Sequence, residues 1–337
     1  GARHGILVKN GTVLETLSHV THFVFDKTGT LTEGKMRVRE IIPTAGFDEA
    51  RVLGLAAVVE RFSEHSIARA IVDAAEARKL NPQGKTPEDF RGVPGLGVMA
   101  NVDTHTVTIG TANWLLQQGI NIPAENEPAI RQREEQAFSC VHVGVDQHYA
   151  GLLAIADELR PDAKNLINAL RADGIRMTLL SGDRTRVAEA VSAQLGGMEV
   201  IAEVLPQDKD RVISELQQRG ARVAMVGDGV NDAPALIRAN VGIAIGSGTD
   251  VSVESADIVL MSDELAKVHL ASALSRRTLR TIHQNISISL TYNVIMVPLA
   301  MMALITPLVA AIAMPISSLL VIGNAARIRT LFKKGER

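Results

Sequence analysis

The sequence predicts an α/β protein in which a doubly wound parallel sheet carries an inserted α+β domain and is followed by a hairpin of apolar helices. Three observations predict this fold class. Short apolar runs alternate with helical patterns in residues 151–270, as is typical of parallel sheets. Residues 34–150 instead combine one long helical stretch with a Pro/Gly-rich bend and short alternating runs, which indicates an α+β domain. Residues 286–305 and 308–326 contain no charged side chain.

The composition excludes two classes of protein. The 337 residues include 35 Lys and Arg against 37 Asp and Glu, which gives a net charge of −2, and 46% of the residues are hydrophobic. A disordered chain would be less hydrophobic and more highly charged. A nucleic-acid-binding protein would carry an excess of basic residues. The single cysteine, Cys140, excludes an internal disulfide or a cysteine-cluster metal site and favours a reducing compartment.

The predicted domain boundaries follow these changes of pattern. We expect the sheet domain to be formed by residues 1–33 and 151–270, and the inserted domain by residues 34–150. A connecting helix (271–285), two membrane helices (286–305 and 308–326) and a tail (327–337) complete the chain.

In the sheet domain, short apolar runs predict strands and amphipathic patterns predict helices. The predicted strands are 23–25, 152–156, 175–180, 222–226, 241–245 and 258–261. One predicted helix is opened by Pro161 and closed by Gly174, and the others cover 185–195 and 208–219. In the inserted domain we expect one long helix over 48–79, a Pro/Gly-rich bend over 81–97, and short strands over 106–109 and 141–145.

The two uncharged runs are each long enough to cross a bilayer, which takes about 20 helical residues. Arg276, Arg277 and Arg280 precede the first run, and basic residues also follow the second run: Arg327, Arg329, Lys333 and Lys334. Basic flanks predict that the two runs cross a cell membrane and that both ends of the hairpin face the cytoplasm. The alternative is a buried core hairpin. We expect no signal peptide in residues 1–11, because their apolar core is too short.

The candidate chemistry begins with the segment DKTGTLT, residues 26–32. In doubly wound sheets ligands bind at the carboxyl ends of the strands, where Asp26, Ser181 and Asp228 are predicted to lie. A carboxylate at such a place can attack a phosphoryl group and form an aspartyl phosphate.

Other segments contain the groups that this reaction needs. The Ser181 hydroxyl and the Lys209 ammonium could hold phosphoryl oxygens, and Asp228 with Asp232 could bind Mg²⁺. Asp183, two residues after Ser181, is a further candidate catalytic residue. Two alternatives stay open: Asp183 could instead be the N-cap of helix 185–195, and Lys209 could be a solvated lysine in the first turn of its helix.

DKTGT and GDGVNDAP (residues 227–234) resemble the P-type ATPases, whose phosphorylation domain belongs to the haloacid dehalogenase superfamily. The resemblance implies that Asp26 accepts the γ-phosphate of ATP. It also implies roles for nearby residues: magnesium ligation by Asp26, Thr28 and Asp228 with support from Asp232, phosphate contact by Thr30, and charge pairing by Lys209. Ser181-Gly182-Asp183 stands where many members have Thr-Gly-Asp.

The segment SEHSIARAI, residues 63–71, resembles the Ser-Glu-His-Pro segment of the heavy-metal subclass. The resemblance implies that His65 lies against the adenine of ATP, with Glu60 nearby and with Gly95, Gly97 and Gly110 as backbone that the nucleotide approaches. Two positions depart from the pattern, because the expected Pro is Ser66 and the expected Gly-Asn pair reads Gly110-Thr111.

The uncharged runs contain candidate ligands for a transported ion, because polar residues in such runs are functional candidates. The candidates are Tyr292, Asn293, Met314, Ser317 and Ser318. A thioether suits Cu(I), whereas a site for Zn²⁺ or Cd²⁺ would use a carboxylate, which neither run has. The pattern is similar to the last two helices of the Cu(I)-transporting subclass. Alternatively, Met314 and the serines only pack the helices together.

The resemblance implies an ATP-driven Cu(I) exporter, an enzyme with Mg²⁺ and ATP as cofactors and with the bilayer, the metal ion and a copper chaperone as partners. The Cys-Pro-Cys motif and the Thr-Gly-Glu loop of such pumps do not occur in this sequence. We therefore expect a fragment without the actuator domain and the earlier helices, which cannot transport alone. The alternatives are a Zn²⁺ or Cd²⁺ pump, a phosphatase, and a non-catalytic ATP-binding membrane protein.

Overall fold

Two β-sheets organise the chain. The computed structural model describes residues 5–63, 65–80, 86–228, 232–246, 254–262, 264–302, 304 and 306–329. Several predicted features lie partly outside these residues: residues 229–231 of the GDGVNDAP motif, Glu64 of the SEHS segment, residues 81–85 of the bend, residues 303 and 305 of the first uncharged run, and residues 330–337 of the tail.

The first sheet has seven strands in the described residues, in the order β1-β13-β12-β11-β2-β9-β10. Their bounds are β1 Ile6–Val8, β2 His22–Asp26, β9 Arg176–Leu180, β10 Glu199–Ile201, β11 Val223–Gly227, β12 Val241–Ile245 and β13 Ile258–Leu260. Every neighbouring pair is parallel except β1 with β13. The predicted doubly wound sheet is therefore present.

Helices cover both faces of this sheet, which explains the apolar run of β2. Phe23 and Phe25 point into one core, and Val24 points into the core on the other face with Met225 of β11. The helices of this domain are α1 Gly11–Ser18, α6 Ala163–Ala172, α7 Thr185–Gln194, α8 Lys209–Gln218 and α9 Ala233–Arg238. Strands buried on both faces read as continuous hydrophobic runs.

The second sheet is antiparallel, with six strands in the described residues in the order β3-β8-β7-β6-β5-β4. Its strands are β3 Thr32–Pro43, β4 Glu88–Val93, β5 Gly97–Val102, β6 His105–Gly110, β7 Ser139–Val145 and β8 His148–Leu159. Its helices are α2 Glu49–Glu60, α3 Ser66–Ala77, α4 Ala112–Gln117 and α5 Glu127–Glu135. Helices α2 and α3 share a core with Val141 and Val143 of β7.

The assignment of residues 152–156 to the parallel sheet is wrong. These residues lie in β8, which pairs antiparallel with β3 and β7 in the second sheet. β8 also crosses the boundary predicted at residue 150. The apolar run is buried in either sheet, so its hydrophobicity does not indicate which strand it pairs with.

Two predicted elements of the inserted domain also need correction. The single helix predicted over 48–79 is two helices, because α2 ends at Glu60 and α3 begins at Ser66, where the His65 side chain accepts a hydrogen bond from the Ile67 amide. The bend predicted over 81–97 contains strand β4, whose residues are all exposed. An exposed edge strand has no apolar pattern that would reveal it in the sequence.

The C-terminal segment forms two helices, α10 Ala266–Met301 and α11 Pro307–Ala326. The connecting helix predicted over 271–285 and the run 286–305 are therefore one continuous helix, which ends at Met301. The Asn324 amide group of α11 donates hydrogen bonds to Gln284 and Asn285 of α10, at 3.1 and 2.9 Å. No helix within the described part of the chain is both long and apolar enough to cross a membrane.

Candidate active site

The carboxyl ends of three neighbouring parallel strands meet at one edge of the first sheet. Asp26 is the last residue of β2, which pairs with β11 on one side and with β9 on the other. Asp26 is level with Leu180, so Ser181 follows at the same edge, and Asp228 follows the last residue of β11. The sheet thus brings together Asp26, Ser181 and Asp228, as the sequence predicts.

Lys209 connects two carboxylates at this edge. Its Nζ donates to Oδ1 of Asp26 and to Oδ1 of Asp232, both at 2.6 Å. All three side chains are buried. Lys209 begins helix α8, but its burial excludes the alternative that it is a solvated lysine of the first turn.

The electrostatics of this group reflect burial and an excess of negative charge. Burial and then the neighbouring Asp232 carboxylate raise the pKa of Asp26 to about 7, although Lys209 opposes the shift. Burial also raises the pKa of Asp232. Burial would lower the pKa of Lys209, but the two carboxylates outweigh it and raise that pKa. One lysine is shared by more carboxylates than it can neutralise.

Asp228 adds a third carboxylate beside the loop that follows Asp26. A Cβ built on Gly29 of that loop would lie 3.7 Å from Oδ2 of Asp228, and the charge of Asp228 also raises the pKa of Asp26. In the described residues no three His, Cys, Asp or Glu side chains form a ready-made metal cluster. Mg²⁺ usually takes one or two carboxylates and completes its shell with water and phosphate oxygens, so these residues fit it.

The loop that carries Thr28 and Thr30 has a fixed backbone. Gly29 has φ +75° and Gly34 has φ +70°, in the left-handed region that favours glycine. The Thr30 side chain is fully buried, and its hydroxyl has no hydrogen-bond partner among the described residues. An unpaired buried hydroxyl is costly, and a phosphate oxygen could satisfy it.

Arg160 stabilises the conformation of this loop through hydrogen bonds to its backbone carbonyl groups. Its Nε donates to the carbonyl oxygens of Thr30 and Thr32, at 2.9 and 3.1 Å, and its Nη2 donates to the Gly29 carbonyl oxygen at 3.1 Å. The Arg160 amide donates to the carbonyl oxygen of Leu31 at 2.9 Å. The residue stands just after β8, so a position 130 residues beyond Thr30 in the sequence fixes the conformation of the loop.

Asp183 binds the loop through Lys27. The Asp183 carboxylate forms an ion pair with Lys27 and accepts hydrogen bonds from the hydroxyls of Ser181, at 2.8 Å, and Ser139, at 3.1 Å. Burial would raise the pKa of Asp183, but Lys27 and these hydrogen bonds lower it. The N-cap alternative for Asp183 is wrong, because Arg184 holds the cap position of α7 and the amide of Thr185, the first residue of the helix, donates to Oε1 of Glu203 at 3.2 Å.

Two of the predicted nucleotide residues, Glu60 and His65, lie at the junction of α2 and α3. Glu60 ends α2 with 6% of its surface exposed, and burial raises its pKa to about 7 while a hydrogen bond from Ser63 opposes this. His65 is exposed, and its Nδ1 accepts from the Ile67 amide at 3.2 Å. A neutral imidazole that accepts at Nδ1 carries its proton on Nε2. Partial desolvation lowers the pKa of His65, and the Asp183 carboxylate opposes this shift.

Two of the predicted glycines have a structural reason to be glycine. Gly97 of β5 pairs with Gly110 of β6, and Trp114 packs over both. A Cβ on Gly97 would lie 2.2 Å from the Ile109 carbonyl oxygen, and a Cβ on Gly110 would lie 2.3 Å from the Leu96 carbonyl oxygen. Gly95, with φ +77°, lies against Leu205, where a Cβ would be 3.1 Å from that side chain.

The two sheet domains also contact each other through Glu134. This side chain of α5 is fully buried, and it pairs with Arg184 and with Arg186, the latter at 3.5 Å. Sequence analysis assigned no role to Glu134, Lys27 or Arg160. Lys27 lies within the DKTGT motif, which could have drawn attention to it. The partners of Glu134 and Arg160 are distant along the chain, and no local pattern reveals them.

The predicted metal ligands lie on the apolar hairpin. Tyr292 and Ser317 are half-buried, whereas Asn293, Met314 and Ser318 are exposed. The Ser318 hydroxyl donates to the Met314 carbonyl oxygen one turn earlier, at 3.2 Å. In that geometry the serine hydroxyl has its hydrogen-bond acceptor within its own helix.

A sequence profile of haloacid dehalogenase-like hydrolases matches residues 20–240. The chain is 44% identical over 335 residues to the probable copper-exporting P-type ATPase V of Mycobacterium tuberculosis, and the match covers 99% of this chain and 43% of that protein. It is 41% identical to the copper-exporting P-type ATPase of Legionella pneumophila, across 98% of this chain and 45% of that one. The chain thus spans less than half the length of these relatives.

Solved structures are similar as well. A zinc-transporting PIB-type ATPase in its E2.Pi state superposes with a TM-score of 0.71 at 39% identity, over 97% of this chain and 53% of that one. The catalytic domain of the CPx-ATPase CopB-B superposes with a TM-score of 0.62 at 30% identity, over 80% of this chain and 96% of that one. The likeness therefore covers both sheet domains described above.

Proposed function

Because this chain belongs to the haloacid dehalogenase-like hydrolase family, among the P-type ATPases, we propose that Asp26 accepts the γ-phosphoryl group of ATP and forms an aspartyl phosphate. A carboxylate oxygen of Asp26 attacks the γ-phosphorus, the bond from that phosphorus to the β,γ-bridging oxygen breaks, and ADP leaves. Water later hydrolyses the acyl phosphate to inorganic phosphate and the free carboxylate.

The surroundings of Asp26 support this role. The Lys209 ammonium, 2.6 Å from Asp26 Oδ1, favours the ionised form of the nucleophile and offsets the negative charge that collects on the transferring phosphoryl group. Arg160 and the Lys27–Asp183 ion pair hold the loop after Asp26 in place. The Thr30 hydroxyl and the Ser181 hydroxyl are the groups that we assign to phosphoryl oxygens.

Asp26, Asp228 and the backbone of Thr28 would hold Mg²⁺, with Asp232 in support. Bound there, Mg²⁺ supplies charge that screens the carboxylate nucleophile from the anionic phosphate. Asp26 and Asp232 share one lysine, and the nearby charge of Asp228 adds to the negative charge that raises the pKa of Asp26.

We assign adenine binding to the surface that contains His65 and Glu60. A neutral, exposed imidazole can stack on a base, and its Nε2–H is a hydrogen-bond donor. We place Gly95, Gly97 and Gly110 beside this surface, although the close packing of the last two under Trp114 is sufficient reason for them to be glycine.

As a substrate for export we propose Cu(I), delivered by a copper chaperone, in a longer membrane protein whose remaining helices and actuator domain lie outside these 337 residues. Two observations support this proposal: the copper-exporting relatives and the soft Met314 thioether beside Ser317 and Ser318. A zinc-transporting protein is also among the similar structures, so Zn²⁺ is the competing substrate. We expect the chain alone to be phosphorylated but not to transport, and metal-stimulated turnover by the chain alone would contradict this.

The observation that carries the proposal is the buried Asp26–Lys209–Asp232 group at the strand edge. To test it, the chain is incubated with Mg²⁺ and ATP labelled at the γ-phosphate and is then quenched in acid. We expect a protein-bound label that survives acid and is released by hydroxylamine, and that Asp26→Asn abolishes.

Asp48→Asn is the matched control. It makes the same chemical change at an N-cap where Asn is equally effective, so its labelling should equal that of the wild type. A label that persists in Asp26→Asn would contradict the proposal. Labelling by inorganic phosphate alone, with none from ATP, would favour the phosphatase alternative. In the full-length protein, stimulation by Zn²⁺ but not by Cu(I) would contradict copper as the substrate.

A further inference from the structure

The start of helix α7 is held by contacts from the second sheet domain. Helices α5 and α7 contact each other, and the Glu134 carboxylate near the end of α5 pairs with Arg184 and with Arg186. Five residues after Glu134, the Ser139 hydroxyl of β7 donates to Oδ1 of Asp183 at 3.1 Å. These contacts all fall within four consecutive residues of the first sheet domain.

The Glu134 carboxylate obtains its compensating charge from the other sheet domain. Its side chain is 1% exposed, whereas those of Arg184 and Arg186 are each 53% exposed. A buried carboxylate that loses its cations is strongly destabilised. Separation of the two sheet domains would take both arginines away from Glu134, so the ion pairs favour the arrangement in which α5 lies against α7.

The paired arginine is directly connected to the catalytic edge. Arg184 follows Asp183, and the Asp183 carboxylate forms an ion pair with Lys27. Lys27 in turn follows Asp26, the proposed nucleophile. Because consecutive Cα atoms are held about 3.8 Å apart, a shift of Arg184 also shifts Asp183 and the Lys27 ammonium that it binds. The contact between the domains is thus connected to the loop after Asp26.

We infer that Glu134 is a positioning residue for phosphoryl transfer. Through Arg184 it fixes the Asp183–Lys27 ion pair, and with it the loop after the nucleophile, when the second sheet domain meets the first. The inference rests on the proposed function of Asp26 and deepens it, because it makes the rate of phosphorylation depend on a contact between the two domains. The competing explanation is that Glu134 only stabilises the fold.

The test compares the whole chain with its Glu134→Gln and Arg184→Gln variants in single-turnover labelling by γ-phosphate-labelled ATP. At saturating Mg²⁺ and ATP we expect each variant to be labelled about tenfold more slowly, within the range over which residues that couple two sites act. The dissociation constant of ATP should change little, because the groups assigned to adenine lie at the junction of α2 and α3. Arg184→Lys keeps the charge and should keep the rate.

The Arg184→Gln variant separates positioning from folding. It leaves the buried Glu134 carboxylate paired with Arg186, so we expect it to fold with nearly wild-type stability in urea. The double variant Glu134→Gln, Arg184→Gln should lose no more rate than the more impaired single variant, since the two residues act through one contact. Glu189→Gln and Arg219→Gln are the matched controls at exposed positions of α7 and at the end of α8, and neither should change the rate.

Three outcomes would overturn the inference: labelling of both single variants at the wild-type rate, single losses that multiply in the double variant, or slow labelling of Arg184→Gln that Arg184→Lys does not recover. With a labelled wild type, each of these leaves the proposed function standing. A wild type that takes no label would instead contradict the proposed function and would remove the reaction that Glu134 is inferred to serve.

Discussion

Lys209 Nζ and Asp26 Oδ1 are 2.6 Å apart in a buried site, although the two residues are separated by 183 positions in the sequence. The same ammonium binds Asp232, also at 2.6 Å. One cation therefore stabilises two buried carboxylates and connects the end of strand β2, at Asp26, to the start of helix α9, at Asp232.

Replacing Lys209 by Met should affect both stability and reaction. Two carboxylates would be left buried without a cation, and breaking such a pair costs about 3–5 kcal/mol. Both carboxylates already have raised pKa values, so the loss should grow as the pH rises, because the unfolded chain ionises them first. Phosphorylation should fall by about 10²–10³-fold. Urea unfolding and the labelling assay measure the two effects.

Lys35→Met is the matched control, because the Lys35 side chain is 71% exposed. Lys209→Arg keeps the charge and should recover most of the stability. A Lys209→Met protein as stable at pH 8 as the wild type would show that the ammonium does not stabilise the carboxylates.

Replacing Arg160 by Lys should slow phosphorylation without weakening ATP binding. A lysine is a single point donor and cannot span the three carbonyl groups of Gly29, Thr30 and Thr32 that the guanidinium holds. A shift of about 1 Å in a reacting group can cost about a hundredfold in rate. Single-turnover labelling gives the rate, and fluorescence titration with a nucleotide gives the affinity.

Arg171→Lys is the control for Arg160, since Arg171 also donates to a carbonyl, that of Gly197, at an exposed place. It should change neither quantity. If Arg160→Lys weakened ATP binding and slowed labelling by equal factors, Arg160 would not be a positioning residue for the loop.

Replacing His65 by Asn should weaken ATP binding and leave the helix intact. Asn is among the preferred N-cap residues, so at the start of α3 its side chain can still accept the hydrogen bond from the Ile67 amide. Stacking of a base on an aromatic ring is worth about 1–3 kcal/mol, so the dissociation constant should rise about tenfold. Isothermal titration calorimetry measures it, and unchanged affinity would mean that adenine binds elsewhere.

Replacing Gly97 by Ala should destabilise the second sheet domain. The added Cβ would lie 2.2 Å from the Ile109 carbonyl oxygen and 2.5 Å from Cδ1 of Trp114, and overpacking of this kind costs about 1–3 kcal/mol or more. Gly54→Ala in helix α2 is the opposite case, because a Cβ there meets no atom within 4 Å. That variant should gain about 0.5–1 kcal/mol. Thermal unfolding of both variants should show shifts of opposite sign.

The buried Glu60 should make stability depend on pH. Its pKa is raised from 4.5 to about 7 by burial, so the folded chain keeps a proton that the unfolded chain loses. The contribution of Glu60 to the free energy of unfolding is therefore fully present at about pH 4. It falls by roughly 3 kcal/mol as the pH rises to about 7, and it changes little above that pH. Glu60→Gln should remove this slope in urea unfolding at a series of pH values. An equal slope in both proteins would assign it to other groups.

The parallel sheet could be predicted in detail because strands buried on both faces leave continuous apolar runs. The run 241–245 matches β12, Val241–Ile245, residue for residue. The run 152–156 shows the limit of this reasoning, because its burial is equally compatible with either sheet and only its pairing with β3 and β7 decides. The break between α2 and α3 was also missed, since both halves have helical patterns and the sequence between them contains no Gly or Pro.

By itself, the sequence determined which chemical groups the candidate site contains. A carboxylate at a strand end, a lysine, further acidic residues and an uncharged hairpin could be recognised, because residue type and strand order fix where such groups lie. The tertiary structure alone decided which partners each of them has. Lys209 is shared by Asp26 and Asp232, Asp183 binds Lys27 instead of capping a helix, and Arg160 holds the loop carbonyls. Such contacts join residues far apart in the chain, and side-chain charges and hydrogen bonds act over a few ångströms of space, whatever the separation in sequence.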